Sequence, residues 1–374
     1  MRISGRLASS PLDDPPAATD LALARELVMR YGEDAWAYQI LNPGLGLWFS
    51  RNRQAVAGYL DWGRVRVVAG GPVARPGSRR AAALELEQEA ALAGLGVCYF
   101  GVDAGPGEIP GSGSGQSVEL GAQPVWHPAA WPGLLGGHPS LRAQLHRARN
   151  KGVRVREWAT GLAAGNPELA QCMREWLEGR PMPAMHFLVE PDILSRLWDR
   201  RLFVAKRDGQ PVGYLVASPV PRRRGWLIEQ IIRGRAAPNG TAELLLDAAF
   251  RAAAAEGLEY FTLGLAPLSR HAGPGGEDAP AWLRGAFRWA RAHGSRFYDF
   301  QGLDAFKAKF GPREWQSVYA ICTESRFTPG MLLAILAVFA GRAPLPFLGQ
   351  ALLKAVRQEI AWMGRKIPGY RGHG

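Results

Sequence analysis

The sequence predicts a mixed α/β (α+β) fold made of two related units in tandem, joined by a helix and followed by an amphipathic helical tail. Three observations predict it. Strand-like segments, a turn and a long helix follow one another in that order in each half of the chain. Nearly half of the 374 residues (47%) are hydrophobic, enough for two cores of ordinary size. Between the halves runs a single helical stretch, 140–152, with Leu141, Leu145 and Ala148 on one face and Arg142, His146 and Arg149 on another.

Residues 1–19 are rich in Pro, Ser and Asp and read as a loose leader. A helix from about Leu21 to Tyr31 follows, with Leu21, Leu23, Leu27 and Val28 as its apolar face. Segments 46–49, 55–60 and 65–69 read as strands, and Gly70-Gly71-Pro72 stops the last of them. Residues 79–95 are helical in pattern and 97–102 form the next strand. The Gly/Ser/Pro stretch 105–115 is a surface loop, because no strand-to-helix context makes its glycines a phosphate cradle. These elements give a first unit over 20–139 and a connecting helix over 140–155, with Ser140 as cap and Gly152 as stop. The second unit, 156–325, repeats the theme. It has a helix at 168–178, a hairpin of 202–206 and 210–217 around Asp208-Gly209, a strand at 225–232, a long helix at 241–256 and a strand at 260–263. This order is similar to that of the acyltransferase fold shared by the N-acetyltransferase superfamily.

The remainder, 326–374, changes character. Residues 331–340 are apolar all round but only ten in number, too short to span a bilayer. Beyond Pro344 and Pro346, Leu352, Leu353, Val356, Ile360 and Trp362 alternate with Lys354, Arg357, Arg365 and Lys366. Such a tail is composed to lie on a membrane surface; a pair of helices closing the core is the structural alternative. The net charge of +12 fits a polyanionic partner, either tRNA or an acidic membrane face. Cys98, Cys172 and Cys322 are scattered and odd in number, and the seven histidines include no H-x-x-x-H pair. No disulfide framework and no metal site are expected, and the cysteine usage points to a reducing compartment. The N-terminus lacks the apolar run of a signal peptide. The expected location is the cytoplasm, peripheral on the inner face of the cell membrane.

Three segments carry chemistry. In Arg235-Ala-Ala-Pro-Asn-Gly240, Pro238 stands where acetyl-coenzyme A enzymes of this fold place a glycine whose amide holds a pyrophosphate; proline has no amide to give. Asn239 and Glu243 would serve as helix cap and dipole partner on residue chemistry alone. Leu263-Gly-Leu-Ala-Pro-Leu-Ser269 leaves a strand and puts Ser269 at the sheet end, where open α/β folds form pockets. Phe297-Tyr-Asp-Phe-Gln-Gly-Leu-Asp-Ala-Phe-Lys-Ala-Lys-Phe-Gly311 combines aromatic residues with Lys307 and Lys309, which face apart on a helix and together on a strand.

In this order and spacing the three segments resemble the cytoplasmic synthase domain of the phosphatidylglycerol lysyltransferases, the multiple peptide resistance factor family. The resemblance covers about 20–325, firmly after Arg233. It implies an aminoacyltransferase that moves an amino acid from aminoacyl-tRNA to an anionic membrane lipid such as phosphatidylglycerol, with no cofactor and no metal. It implies catalytic roles for Lys307, Lys309 and Glu243, one lysine steadying the charge on the attacked ester carbonyl and the other holding a phosphate. Glu229, Arg233, Asn239, Gly240, Ser269, Tyr298 and Arg313 are the implied substrate-binding residues, and Arg142, His146 and Arg149 the candidate tRNA-binding face. The chain departs from the family at Leu265, at Val318 and by one extra residue between Pro312 and Trp315. The family's multi-span flippase has no counterpart in these residues, so the chain is expected to make its product and not to flip it. Two other readings remain: transfer to a soluble amine or peptide, as in the peptidoglycan-bridge transferases, and a non-catalytic membrane- or RNA-binding relic.

Overall fold

The computed structural model of the chain describes residues 16–103, 115–180, 183–272, 279–293 and 299–341. Most of the expected leader, most of the 105–115 loop, Tyr298 and the basic part of the tail lie outside the described residues. In the first half, α1 (Ala18–Tyr31) precedes β1 (Gly46–Phe49), β2 (Ala55–Trp62), β3 (Val65–Ala69), β4 (Val73–Ala74), α2 (Arg79–Leu92), β5 (Gly96–Val102) and β6 (Gln116–Trp126). Next come α3 (Trp131–Gly136) and α4 (Pro139–Asn150). The second half contains β7 (Arg154–Trp158), α5 (Pro167–Glu178), β8 (Arg201–Arg207), β9 (Gln210–Val220), β10 (Gly225–Arg233), α6 (Thr241–Ala255), β11 (Tyr260–Thr262) and β12 (Ala266–Pro267). It closes with α7 (Ala281–His293), α8 (Phe300–Ala308), β13 (Glu314–Cys322) and α9 (Pro329–Ala340).

All of these strands belong to one sheet in the order β1-β2-β3-β5-β13-β6-β11-β10-β9-β8-β7, with β4 on β2 and β12 on β6. Each half follows the same plan. Antiparallel strands feed one helix, which returns the chain to a parallel neighbour: β3 to β5 through α2, and β10 to β11 through α6. Parallel pairing requires such a crossover, and this is the repeated strand–turn–helix order legible in the sequence. At the β8–β9 hairpin Asp208 and Gly209 both have positive φ (52° and 82°), the conformation that a two-residue turn demands.

Two strands at the centre escape the sequence pattern. β6 pairs with β13 from Glu314↔Val125 to Cys322↔Gln116, and the other edge of β13 pairs with β5. Most of β6 is buried without regular alternation, and Gln116, Glu119, Gly121, Gln123 and Pro124 interrupt any apolar run. Its strand character comes from being covered on both faces. Gly121 is needed there because an added Cβ would lie 2.2 Å from the Ala266 carbonyl.

Four buried clusters flank the sheet. In the second half Phe250 stacks between Trp131 and Phe261, with ring centroids 4.2 and 3.9 Å away. The halves are also clamped by Arg200, whose side chain is fully buried. It donates to Glu229 at 2.8 and 3.0 Å and to Asn42 Oδ1 at 2.6 Å, over the Tyr38 ring. Two expectations change here. α4 starts at Pro139, so Ser140 is inside the helix and not its cap, because proline fits the first helical position. And 329–340 is no free surface segment: α9 buries Met331, Ala334, Ile335 and Val338 in the first-half core, leaving Leu333 and Leu336 exposed.

Candidate active site

The site forms where β11 ends. The chain turns sharply through Gly264 (φ 68°) and Leu268 (φ 52°), and β12 holds the return against β6. At Gly264 a Cβ would come within 3.0–3.2 Å of Leu227 and Trp36, so a larger residue would crowd both. α8 lies beside this turn, started by Asp299, whose carboxylate accepts from the Gly302 amide at 2.8 Å.

One flank of α8 carries Asp304 and Lys307, three residues apart and both buried. The Lys307 Nζ donates to the carbonyls of Leu263, Gly264 and Leu265 at 2.8, 2.7 and 2.9 Å. A lysine ammonium has three N–H donors, and all three are used on the turn. Burial pushes the Lys307 ammonium down to about 7, opposed by the nearby Asp304 carboxylate. The three carbonyls, in turn, are placed as the charged form requires.

Asp304 accepts a short hydrogen bond from the buried Ser269 hydroxyl, which itself accepts from the His271 amide at 3.1 Å. Arg270 Nε lies 3.3 Å from the other carboxylate oxygen, and the His271 ring stacks on Trp315 with centroids 4.0 Å apart. Asp304 also lines a cavity of about 380 Å³ with Leu268, Arg270, Arg291, Phe300, Gln301 and Ala305. A cavity lined by one carboxylate and two guanidinium groups can bind an ammonium and a phosphate side by side.

Lys309 points elsewhere. It ends α8 and pairs with Glu243 in the first turn of α6, with Gln144 Oε1 at 3.4 Å and the Phe306 ring centroid at 4.3 Å. Gly240 (φ 95°) leads into α6, where a Cβ would come 2.3 Å from the Gln144 carbonyl; α4 covers this helix start.

The structure therefore brings Ser269 and Lys307 to one place and Gly240, Glu243 and Lys309 to another. Glu229, expected to bind substrate, has only 2% of its side chain accessible and is committed to Arg200; it clamps the halves. Arg233, Asn239 and Arg313 are exposed. On α4, Arg142 donates to the Leu135 and Gly136 carbonyls and Arg149 pairs with the buried Asp247 at 2.9 Å, while His146 is exposed. Both guanidinium groups thus already serve packing. Tyr298 lies outside the described residues. Sequence reasoning missed Asp304, Arg270 and Arg291. The i, i+3 spacing of Asp304 and Lys307 within one segment was the available signal.

The family model described as "Phosphatidylglycerol lysyltransferase, C-terminal" matches residues 25–322. Among curated proteins none matches. Among solved structures the chain is similar to the C-terminal domain of a protein assigned as a lysylphosphatidylglycerol synthetase from Agrobacterium fabrum. The two are 23% identical with a TM-score of 0.70, over 87% of this chain and 98% of that one. It is also similar to L-PGS from Bacillus licheniformis, 21% identical with a TM-score of 0.71, over 86% of this chain and 96% of that one. FemX shares the fold at 10% identity and a TM-score of 0.54, over 83% and 97% of the two chains.

Proposed function

The chain belongs to the phosphatidylglycerol lysyltransferase C-terminal family and is an aminoacyltransferase; from that premise we propose that it moves an amino acid from an aminoacyl-tRNA ester to the hydroxyl of an anionic membrane lipid such as phosphatidylglycerol. The observation that carries this reading is the cavity that Asp304 lines together with Arg270 and Arg291. Asp304 would receive the ammonium of the aminoacyl group, and the two arginines would take the phosphate of the tRNA end or of the lipid. The lipid hydroxyl oxygen attacks the ester carbonyl, the bond to the tRNA ribose oxygen breaks, and that oxygen leaves with the hydroxyl proton. One ester replaces another, so the chemistry asks for positioning and charge stabilisation.

Lys307 acts through the 263–265 turn in this scheme, as a positioning residue for Ser269 and Arg270. Pro238, together with the covered start of α6, speaks against a coenzyme A pyrophosphate held there.

The test is direct. Purified protein, labelled aminoacyl-tRNA and phosphatidylglycerol vesicles should yield a labelled lipid, and ribonuclease pretreatment should abolish it. Label appearing only on an added soluble amine, or transfer from acetyl-coenzyme A in place of tRNA, would overturn the reading.

A further inference from the structure

The helix α7 is not among the elements read from the sequence, although Leu283, Phe287 and Ala290 recur at helical spacing. From Ala281 to His293 it carries Arg284, Arg288 and Arg291, two tryptophans and no acidic residue. Its inner face is accounted for: Leu283 is fully buried and Phe287 packs against the first-half core cluster. Its outer face exposes Trp282 and Trp289, 41% and 62% accessible, together with Arg288. The two indoles are seven positions apart, so they point the same way roughly 10 Å apart along the axis. Arg288 stands about a quarter to a third of a turn round from them. At the C-terminal end of the same helix Arg291 lines the cavity that holds Asp304.

We propose that α7 is an interfacial helix that seats the mouth of the Asp304 cavity on an anionic lipid bilayer. Indoles settle at headgroup depth, where one side of the ring is apolar and the N–H is wet. Guanidinium groups beside them meet lipid phosphates, and the lack of any acidic side chain on α7 removes the repulsion an anionic surface would otherwise meet. Single-stranded nucleic acid asks for a different pattern, rings spaced to stack on successive bases, and a separation of roughly 10 Å does not supply it. The position of Arg291 links the two tasks: the helix that touches the surface also forms a wall of the pocket the headgroup must enter. α9 packs on the same core cluster and exposes Leu333 and Leu336, adding apolar surface to this half. The proposal rests on the lipid-acceptor reading for its purpose but is measured without it.

The full chain is floated with vesicles of mixed phosphatidylglycerol and phosphatidylcholine, and with phosphatidylcholine alone. Wild type should partition onto the anionic vesicles. Trp282→Ser/Trp289→Ser should lower that partition about tenfold, and Trp282→Phe/Trp289→Phe should restore most of it. Arg288→Glu should lower it by about thirtyfold at low salt, less as salt is raised. Because Arg288 is exposed, this variant stands as the test if the serine pair fails to fold. Transfer to a dispersed short-chain phosphatidylglycerol should stay near wild type in every variant. Wild-type partition in the serine pair and in Arg288→Glu would overturn the proposal, as would unchanged vesicle binding with weakened tRNA binding, which would make α7 an RNA face. Failure of wild type to transfer to either form of the lipid would overturn the acceptor reading, while the flotation result would still decide the role of α7.

Discussion

The inner flank of α8 and its C-terminal end hold a positive charge in opposite ways, although Lys307 and Lys309 are only two residues apart. Lys307 is 5% accessible, and its three N–H donors all go to backbone carbonyls of one turn. Lys309 keeps 29% of its side chain accessible and meets a carboxylate, an amide and aromatic faces. On a helix two positions apart means about 200°, so one lysine enters the sheet end while the other reaches across to α6. The same residue type is therefore a buried amine with every donor fixed on one turn at one position and an adaptable surface-edge charge at the other. Burial and partner type separate them, and residue identity does not.

The sharpest way to test this division is at Asp304, the charged neighbour of Lys307 that faces the cavity. Asp304→Asn keeps the size of the side chain and an acceptor for Ser269 but removes the charge. Single-turnover transfer should fall by about 10²–10³, with the melting temperature moving little by comparison. Turnover close to wild type would move the reaction away from the inner flank.

Lys307→Met should come next in size. It leaves three buried carbonyls without their donor and should lower unfolding free energy by about 3 kcal/mol, measured by denaturant titration, and slow transfer as the turn loosens. This difference should also depend on pH. The folded-state value of about 7 lies below the ordinary 10.5, so between these limits the unfolded chain holds more of the proton and stability rises with pH. The advantage of wild type over Lys307→Met should therefore grow as pH is raised from about 7 towards 10.5. A flat difference would mean that the three carbonyls keep the ammonium charged in both states.

The smallest effect is expected at the far end of the helix. Lys309→Met and Glu243→Gln should each change stability by under about 1 kcal/mol, as a partly exposed ion pair does. If Lys309→Met proves as damaging to turnover as Asp304→Asn, the comparison breaks and the reacting atoms belong at the α6 end.

The sequence made the crossover plan of both halves legible because each long helix and its flanking strands kept their own periodicity. It hid β6, since a strand largely buried and interrupted by Gly121 and Pro124 shows no alternation, and it hid β13, whose burial runs from an exposed Glu314 to a buried Cys322 with no period of two. The resemblance singles out Ser269 and Lys307 without saying what they touch, because the spacing of Lys307 says nothing of which carbonyls it meets 42 to 44 residues away. Glu229 meets the same limit: an acidic residue in a promising place looks the same in sequence whether its partner is substrate or the buried Arg200, 29 residues back, which is the partner it has.

The place of β13 also governs how the molecule can come into being. β5 and β6 are neighbours in the chain but do not pair; the strand between them comes from residues 314–322. During synthesis, both strands wait with an open edge each until nearly two hundred further residues have been made. A ribosome that stalls before β13 releases a chain with two unpaired edges facing one another across a gap, the kind of surface that recruits strands from other chains. The enzyme thus carries its own completeness check: among the described residues, the last strand to emerge is the one that closes the middle.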